Sequence, residues 1–169
     1  MVDLILNANI SEPTDYEVRK TVKAVVVDEK GNTLTFGPYL LGGGVEEGES
    51  DEEAIAREMI EEAGIEVEIL RPLGTVVGYR DALKRKYVVN GYLCRYKEKI
   101  CEPTTTEEGE MNQVLKWHSP SEAIHYIESQ LEAEKRAQLT QEPDRRKDIG
   151  QSLLYNKLTA LAFLKEAFK

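Results

Sequence analysis

The sequence predicts an α/β (α+β) fold, an α/β/α sandwich around a mixed β-sheet. Segments rich in β-branched residues alternate along the chain with helical segments. The chain has 169 residues, enough for one domain with a sizeable core, and its hydrophobic content of 41% is ordinary for a globular protein. We therefore expect a single domain over residues 1–169, with a C-terminal helical extension over about residues 130–169.

The strands are predicted from runs of β-branched and aromatic residues bounded by turn residues. The predicted strands are residues 20–28, 33–36, 66–79, 85–96 and 113–118. Pro72 and Gly74 should break the third strand, and its second part should pair with the fourth as a hairpin. Trp117 in the last strand is assigned to the core, and Cys94 is interpreted as a small buried apolar residue rather than a nucleophile.

One helix is predicted over residues 51–63. Ser50 is the expected N-cap, and Glu53, three residues later, completes a capping box. Gly64 falls where a helix needs a C-terminal stop. At 3.6 residues per turn, Glu58, Glu61 and Glu62 fall within roughly a 100° arc. An adjoining apolar side is predicted to pack on the core and comprises Ile55, Ala56, Met59, Ile60 and Ala63.

A glycine-rich loop, residues 41–45, leads into this helix. Glycine lets the backbone approach a ligand closely. Glu49 follows the loop and can bend toward the helical carboxylates, while Arg57 flanks them. Carboxylates one turn apart repel one another, and a bound Mg²⁺ would turn that repulsion into attraction. The alternative is a solvated acidic helix behind a flexible turn, which leaves the fixed spacing of the glycines and the arginine unexplained.

The segment from Gly43 to Ile65 resembles the signature of the Nudix (MutT-type) hydrolases. Every specified position of that signature is filled, by Gly43, Glu49, Arg57, Glu58, Met59, Glu61, Glu62, Gly64 and Ile65. The resemblance covers about residues 17–128. One departure is Leu41, because many family members have proline before the glycine pair.

The resemblance implies Mg²⁺- or Mn²⁺-dependent hydrolysis of a nucleoside diphosphate linked to another group. The metal site that it implies comprises Gly43, Glu49, Glu58, Glu61 and Glu62. Glu58 and Glu62 would be the principal ligands, Glu61 a ligand or a base acting through water, and Arg57 would orient a glutamate. Gly44 would line the phosphate site. In some family members a loop glutamate is the general base, which here nominates Glu108 or its neighbours Glu107 and Glu110, although a solvated acidic loop is the preferred interpretation of each.

Further basic and aromatic residues are candidates for substrate contacts. Arg19, Lys23, Arg80 and Arg85 could hold phosphates, and the alternative for each is an ordinary surface charge. Tyr79, Tyr87 and Phe36 could stack on a base, but packing in the core or at its rim is preferred. His118 and His125 have no partner at the spacing of a metal ligand or a catalytic triad and are left unassigned.

The C-terminal third is predicted to be largely helical. Residues 119–122 open a helix with Pro120 in its first turn. Residues 130–147 are charged and interrupted by Pro143, and we expect them to be partly helical. Residues 151–168 have leucines at helical spacing and should form an amphipathic helix that packs on the domain or on a second subunit.

Charge and cysteine content limit the partners and the compartment. The net charge is −9, and residues 46–68 alone hold eleven acids and one base, which argues against broad nucleic-acid binding. No apolar run approaches a membrane span, and the N-terminus lacks the features of a signal peptide. Cys94 and Cys101 are expected to be free thiols, so a cytoplasmic location is predicted.

The leading functional hypothesis is therefore a Mg²⁺-dependent Nudix pyrophosphohydrolase with a nucleotide-type substrate. A nucleoside triphosphate is favoured because the chain is compact, with ADP-ribose and nucleotide sugars as alternatives. A non-catalytic nucleotide sensor is the alternative from another class, and the full set of carboxylates argues against it. No residues support an isomerase. The protein is expected to be a monomer or a homodimer.

Overall fold

The computed structural model describes residues 1–6, 15–80, 84–104, 114–140 and 149–169. The strands are β1 (Val2–Leu6), β2 (Glu17–Val27), β3 (Thr33–Phe36), β4 (Ile65–Arg80), β5 (Arg85–Lys99) and β6 (Leu115–His118). The helices are α1 (Asp51–Ala63), α2 (Pro120–Thr140) and α3 (Ile149–Ala167). The sheet order is β1-β4-β5-β2-β3-β6. β1 runs parallel to β4 and β2 parallel to β5, whereas the other pairs are antiparallel, so the sheet is mixed as predicted.

Two apolar clusters cover the two faces of this sheet. On one face α1 contributes Ile55 and Met59, which pack with Val22 and Val26 of β2. On the other face α3 packs on β4 and β5 through side chains that include Phe163, and α2 packs on α3. Alternate residues of one strand point to opposite faces, so β2 supplies both clusters. The predicted α/β/α sandwich is confirmed.

Helix α1 begins and ends where the sequence predicted. The Ser50 side chain accepts a hydrogen bond from the Glu53 N–H, and the Glu53 carboxylate accepts one from the Ser50 N–H. Gly64 takes a left-handed conformation, with φ of 66°, which favours glycine. The first turn carries three acids, which suit the positive end of the helix dipole.

The predicted apolar side of α1 was partly wrong. Ala56 and Ile60 are exposed, and Ile60 keeps 39% of its surface accessible. Their places on the buried side are taken by Glu58 and Glu62, which are 8% and 3% exposed. The helix is therefore turned so that two carboxylates face the glycine loop. A hydrophobic pattern predicts the opposite, because buried carboxylates are costly without partners.

Strand β4 is continuous, so the predicted breaks at Pro72 and Gly74 were wrong. The residues instead lie at register shifts against β5, and the hairpin extends over the whole length of both strands. The sequence also missed β1, a short edge strand. Gly74 has φ of 124°, and a Cβ there would meet the backbone of Val2, so glycine permits β1 to pair closely.

The assignment of Trp117 to the core was wrong as well. Its strand, β6, is at the edge of the sheet, and Trp117 is 37% exposed. It makes an edge-to-face contact with Tyr96 at 5.5 Å between ring centroids. Phe36 and Tyr79 are buried, in agreement with the prediction that they pack in the core or at its rim. Cys94 is also buried, and burial raises the pKa of its thiol to about 12.

The C-terminal helices close the second face of the sheet. Helix α2 continues to Thr140, and residues 141–148, including Pro143, lie outside the described part. In α3, the Phe163 ring lies directly over Gly91, where a Cβ would not fit. The N-terminal ammonium pairs with Glu166 at 2.8 Å, joining both chain ends. None of the helices in the described ranges is long and apolar enough to cross a membrane.

Candidate metal and diphosphate site

The glycine loop is held beside β2 by backbone hydrogen bonds. Val22 N–H donates to the Gly43 carbonyl at 2.9 Å, and Val45 N–H donates to the Lys20 carbonyl at 3.1 Å. The loop therefore pairs with β2 along the part of that strand that β3 does not cover. Because α1 follows within a few residues, the carboxylates of α1 face this fixed backbone.

Arg57 is the centre of the site. Its Nε donates to Glu49 Oε1 at 2.9 Å, and its Nη1 donates to Glu58 Oε1 at 2.8 Å and to Glu61 Oε2 at 3.1 Å. Its Nη2 donates to the Gly44 carbonyl at 2.7 Å. These hydrogen bonds, first that to Glu49, raise the pKa of Arg57 although burial opposes them. The guanidinium thus gathers three carboxylates and the loop into one arrangement.

The most buried carboxylates of the site are those of Glu58 and Glu62. Glu62 Oε2 accepts a hydrogen bond from the Gly42 N–H at 2.6 Å. The Glu58 carboxylate lies over Gly43, and an added Cβ at Gly43 would be 2.6 Å from Glu58 Cδ. Burial raises the pKa of Glu58, against the opposing effect of Arg57. A side chain at position 43 would therefore displace this carboxylate.

Glu49 is held in place by hydrogen bonds from the Glu46 backbone and the Arg57 side chain. Its Oε2 accepts a hydrogen bond from the Glu46 N–H at 2.9 Å and another from Arg57 Nη2 at 3.0 Å. The hydrogen bond from Arg57 lowers the pKa of Glu49. Glu49 is thus ionised and turned toward the helical carboxylates, which is where the sequence placed it.

The donor set fits a hard divalent cation. Glu49, Glu58 and Glu61 share one arginine, which leaves net negative charge among carboxylate oxygens. As the side chains stand, no three of the His, Cys, Asp and Glu residues in the described ranges converge on a common point. The geometry gives the reason: Arg57 occupies the space between the carboxylates, and Glu62 is turned to the Gly42 N–H.

The basic residues predicted to contact substrate differ in their surroundings. Lys23 Nζ donates to the Leu40 carbonyl at 3.1 Å and also to the Gly42 carbonyl, so it supports the loop. The Arg19 guanidinium lies near Gly44, and an added Cβ there would be 3.6 Å from Arg19 Nη2. Arg80 lies over the Tyr87 ring, at 4.0 Å from its centroid.

A cleft of about 1000 Å³ joins these groups. Carboxylates of α1 line one part, Arg19 and Arg80 line another, and α3 forms a wall that includes Tyr155 and Thr159. The sequence did not nominate these α3 residues. The sequence predicted the helix that carries them but not their place in the cleft, because no local pattern reveals where a terminal helix packs.

The remaining residues that the sequence suggested either fall outside the described residues or make contacts elsewhere in the fold. Glu107, Glu108 and Glu110 fall outside the described residues. Arg85 Nε pairs with Glu17 at 3.1 Å. His118 stacks on Tyr126 with ring centroids 5.7 Å apart, which is a packing contact.

A family model described as NUDIX domain matches residues 18–142. Among curated proteins, none matches the chain.

Solved structures share the fold. The Escherichia coli ORF135 protein is 22% identical and has a TM-score of 0.52, covering 69% of this chain and 84% of its own. A NUDIX-family hydrolase from Clostridium perfringens is 19% identical with a TM-score of 0.52, covering 88% and 97%. A NUDIX hydrolase from Nitrosomonas europaea is 20% identical with a TM-score of 0.51, covering 63% and 75%. With a family model matched over most of its length, the chain belongs to the Nudix hydrolase family.

Proposed function

We propose that the protein is a Mg²⁺-dependent pyrophosphohydrolase that cleaves the diphosphate of a nucleoside diphosphate linked to another group. The observation that carries the proposal is the grouping of Glu49, Glu58 and Glu61 around Arg57, beside the glycine loop. Family membership supports it. Such a surplus of negative charge in a cleft would repel a nucleotide unless a cation were bound first.

Each carboxylate has a role in this proposal. Glu58 and Glu62 are the principal metal ligands, since both are buried and both face the loop. Glu49 and Glu61 complete the set, and the Gly43 carbonyl has a lone pair left after accepting from Val22 N–H. Mn²⁺ is an alternative ion, because it accepts the same oxygen donors.

The metal would neutralise the phosphate charge and lower the pKa of a bound water. The protein's own side chains hold the metal ligands in place and supply the base. Arg57 holds Glu58 and Glu61 in place, and must release their oxygens as the cation enters. Glu61 is 45% exposed in its side chain and is the carboxylate nearest to solvent, which suits a base acting through water. Glu108 is the second candidate for the base.

The substrate enters along the cleft. Gly44 and Arg19 flank the loop and would contact the diphosphate, and Lys23 would act by holding the loop carbonyls. Phosphoryl transfer depends mainly on positioning and charge neutralisation, so residues that fix backbone and charge carry much of the catalysis. A nucleoside triphosphate is the favoured substrate, with ADP-ribose and nucleotide sugars as alternatives.

A hydrolysis screen tests the proposal. Nucleoside triphosphates including 8-oxo forms, ADP-ribose, nucleotide sugars, NADH and dinucleoside polyphosphates would each be incubated with Mg²⁺ and with chelator. Cleavage of one class only with Mg²⁺ is expected, and Glu58→Gln should reduce it by at least about 100-fold. Absence of cleavage with every compound, while Mg²⁺ still binds, would refute the enzymatic function and favour a nucleotide sensor.

Partners and compartment follow from the same features. The partner is a small nucleotide-type molecule, and the negative charge of −9 disfavours nucleic acid. Cys94 and Cys101 are free thiols, which supports a reducing, cytoplasmic location. The oligomeric state that we propose is a monomer or a homodimer.

A further inference from the structure

The end of the cleft at the tips of β4 and β5 carries positive charge that the described structure does not neutralise. Within the described ranges, neither Arg19 nor Arg80 forms an ion pair or a hydrogen bond, whereas the neighbouring Arg85 is paired with Glu17. Arg19 is exposed, but Arg80 is half-buried, and a half-buried arginine is costly unless an anion accompanies it.

Arg80 is the more unusual of the two unpaired arginines. Its Nε is buried and has no hydrogen-bond partner among the described residues. Its guanidinium stacks on the Tyr87 ring at 4.0 Å from the centroid, which fixes its plane. Burial lowers the pKa of Arg80, against the opposing effect of Tyr87 and Tyr155, and nearby Arg19 and Arg85 add to the lowering. An arginine held in this way is preorganised to bind an anion bidentately.

The strand register separates this end from the metal carboxylates. Arg19 pairs with Tyr87 across β2 and β5, and Tyr87 pairs with Gly78 across β5 and β4. Since strands are spaced by about 4.8 Å, the β4 backbone is offset from Arg19 by roughly 10 Å. Arg19 lies beside Gly44 at the metal end, whereas Arg80 starts from β4, two strands away, and its guanidinium lies over the Tyr87 ring.

The same end has a shaped floor and wall. An added Cβ at Gly78 would be 3.3 Å from the Tyr155 ring, so the absence of a side chain leaves room for that ring. Tyr155 belongs to α3 and lines the cleft together with Arg80 and Tyr87. The pocket end is therefore aromatic on two sides and cationic in the middle.

We propose that Arg80, with Tyr87 and Tyr155 as its walls, binds a phosphoryl group that the substrate carries beyond the diphosphate that is cleaved. This inference rests on the proposed pyrophosphohydrolase function and narrows its substrate class. A phosphate monoester or terminal phosphate carries nearly two negative charges at neutral pH and offers oxygens that a guanidinium can bind bidentately, which suits the unpaired Arg80. The group comes either from the end of a triphosphate or from the sugar of a nucleotide.

Matched substrate pairs separate these two sources. ATP with ADP tests a terminal phosphate, and NADPH with NADH and coenzyme A with dephospho-coenzyme A test a sugar phosphate. We would measure kcat/KM for each with Mg²⁺, in the wild type and in Arg80→Met, which keeps the unbranched stem. Arg95→Met is the control, because Arg95 lies on β5 outside the cleft, paired with Glu68.

The wild type should prefer the phosphorylated member of at least one pair by roughly ten- to a hundredfold, the effect of hydrogen bonds to a charged group. Arg80→Met should remove that preference and leave the other member within about twofold, while Arg95→Met keeps the preference. Equal loss for both members of every pair, or no preference in the wild type, would overturn the proposal.

Two further measurements keep this test independent of turnover. Calorimetry would compare adenosine 2′,5′-bisphosphate with AMP and ATP with ADP; tighter binding of the more phosphorylated member that depends on Arg80, in a protein that hydrolyses no compound of the screen, would support the subsite and refute the hydrolase. No difference there and no hydrolysis would refute both. The melting temperature of Arg80→Met should be unchanged or higher, because an unpaired charge is removed. A fall of several degrees without loss of discrimination would make Arg80 a structural residue.

Discussion

Gly43→Ala is a test of how the loop and α1 fit together. Gly43 does not need a left-handed backbone, since it is not among the glycines of positive φ. The loop backbone can therefore accept an alanine at position 43 without strain. The obstacle is a steric clash with the Glu58 carboxylate. The new Cβ would lie 2.6 Å from Glu58 Cδ and 2.7 Å from Glu58 Oε2.

The size of the effect follows from these distances. Ordinary contacts of a Cβ begin at 3.4 Å, and Glu58 Oε1 is closer than Cδ, so the carboxylate must move by roughly 1 Å. Metal ligands tolerate deviations of only about 0.2 Å, and Mg²⁺ demands near-ideal geometry. A misplacement of this order costs about 100-fold in rate. We expect kcat/KM to fall by about 100-fold and the Mg²⁺ concentration for half-maximal activity to rise.

The assay is a Mg²⁺ titration of hydrolysis, accompanied by a melting curve to verify folding. Gly44→Ala is the matched comparison, because its Cβ would meet only the end of Arg19, at 3.6 Å. Its loss should be less than about tenfold, since that contact is ordinary van der Waals contact. If Gly43→Ala kept wild-type Mg²⁺ dependence and turnover, Glu58 would not be held against the loop as a metal ligand.

Three further predictions concern other parts of the molecule. Arg57→Lys should lower kcat by about 100-fold and lower the melting temperature of the metal-free protein, because an ammonium cannot span the contacts of a guanidinium; a stopped assay and calorimetric melting measure both. Phe163→Ala should cost about 3–5 kcal/mol in urea unfolding, because its ring is fully buried over Gly91; a loss below about 1 kcal/mol would show that α3 is not part of the core. Hydrogen bonds and pairing with Lys169 and the N-terminus lower the pKa of Glu166 to about 2, so its contribution is present above pH 4.5 and is lost as the pH falls toward 2. Wild type and Glu166→Gln should therefore differ in melting temperature at pH 6 and converge near pH 2, and a constant difference would contradict the pairing.

Local rules predicted the ends of α1 well because these depend on short-range contacts. Ser50, Glu53 and Gly64 act within one turn of the helix, so their spacing alone determines where it begins and ends. The carboxylate cluster was predictable for the same reason. Runs of β-branched and aromatic residues likewise identified β2 and β5, which lie at the centre of the sheet.

What the sequence could not predict depends on contacts between distant segments. The burial of Glu58 and Glu62 in place of Ile60 is set by the glycine loop, whose position depends on β2. The exposure of Trp117 reflects the edge position of β6, which only the sheet order determines. Tyr155 enters the cleft because Phe163 fixes α3 on Gly91, more than 60 residues earlier in the chain. Periodicity carries no information about such pairings.

The most direct test of the metal site is to measure Mg²⁺ binding and hydrolysis together in the wild type and in Glu62→Gln. Glu62 is 3% exposed and bonded to the Gly42 N–H, and the amide side chain can keep that hydrogen bond while losing the charge. We predict that the variant melts within a few degrees of the wild type but binds Mg²⁺ weakly and loses turnover by at least about 100-fold. Near-normal Mg²⁺ affinity and turnover in Glu62→Gln would contradict the assignment of these carboxylates as the metal site.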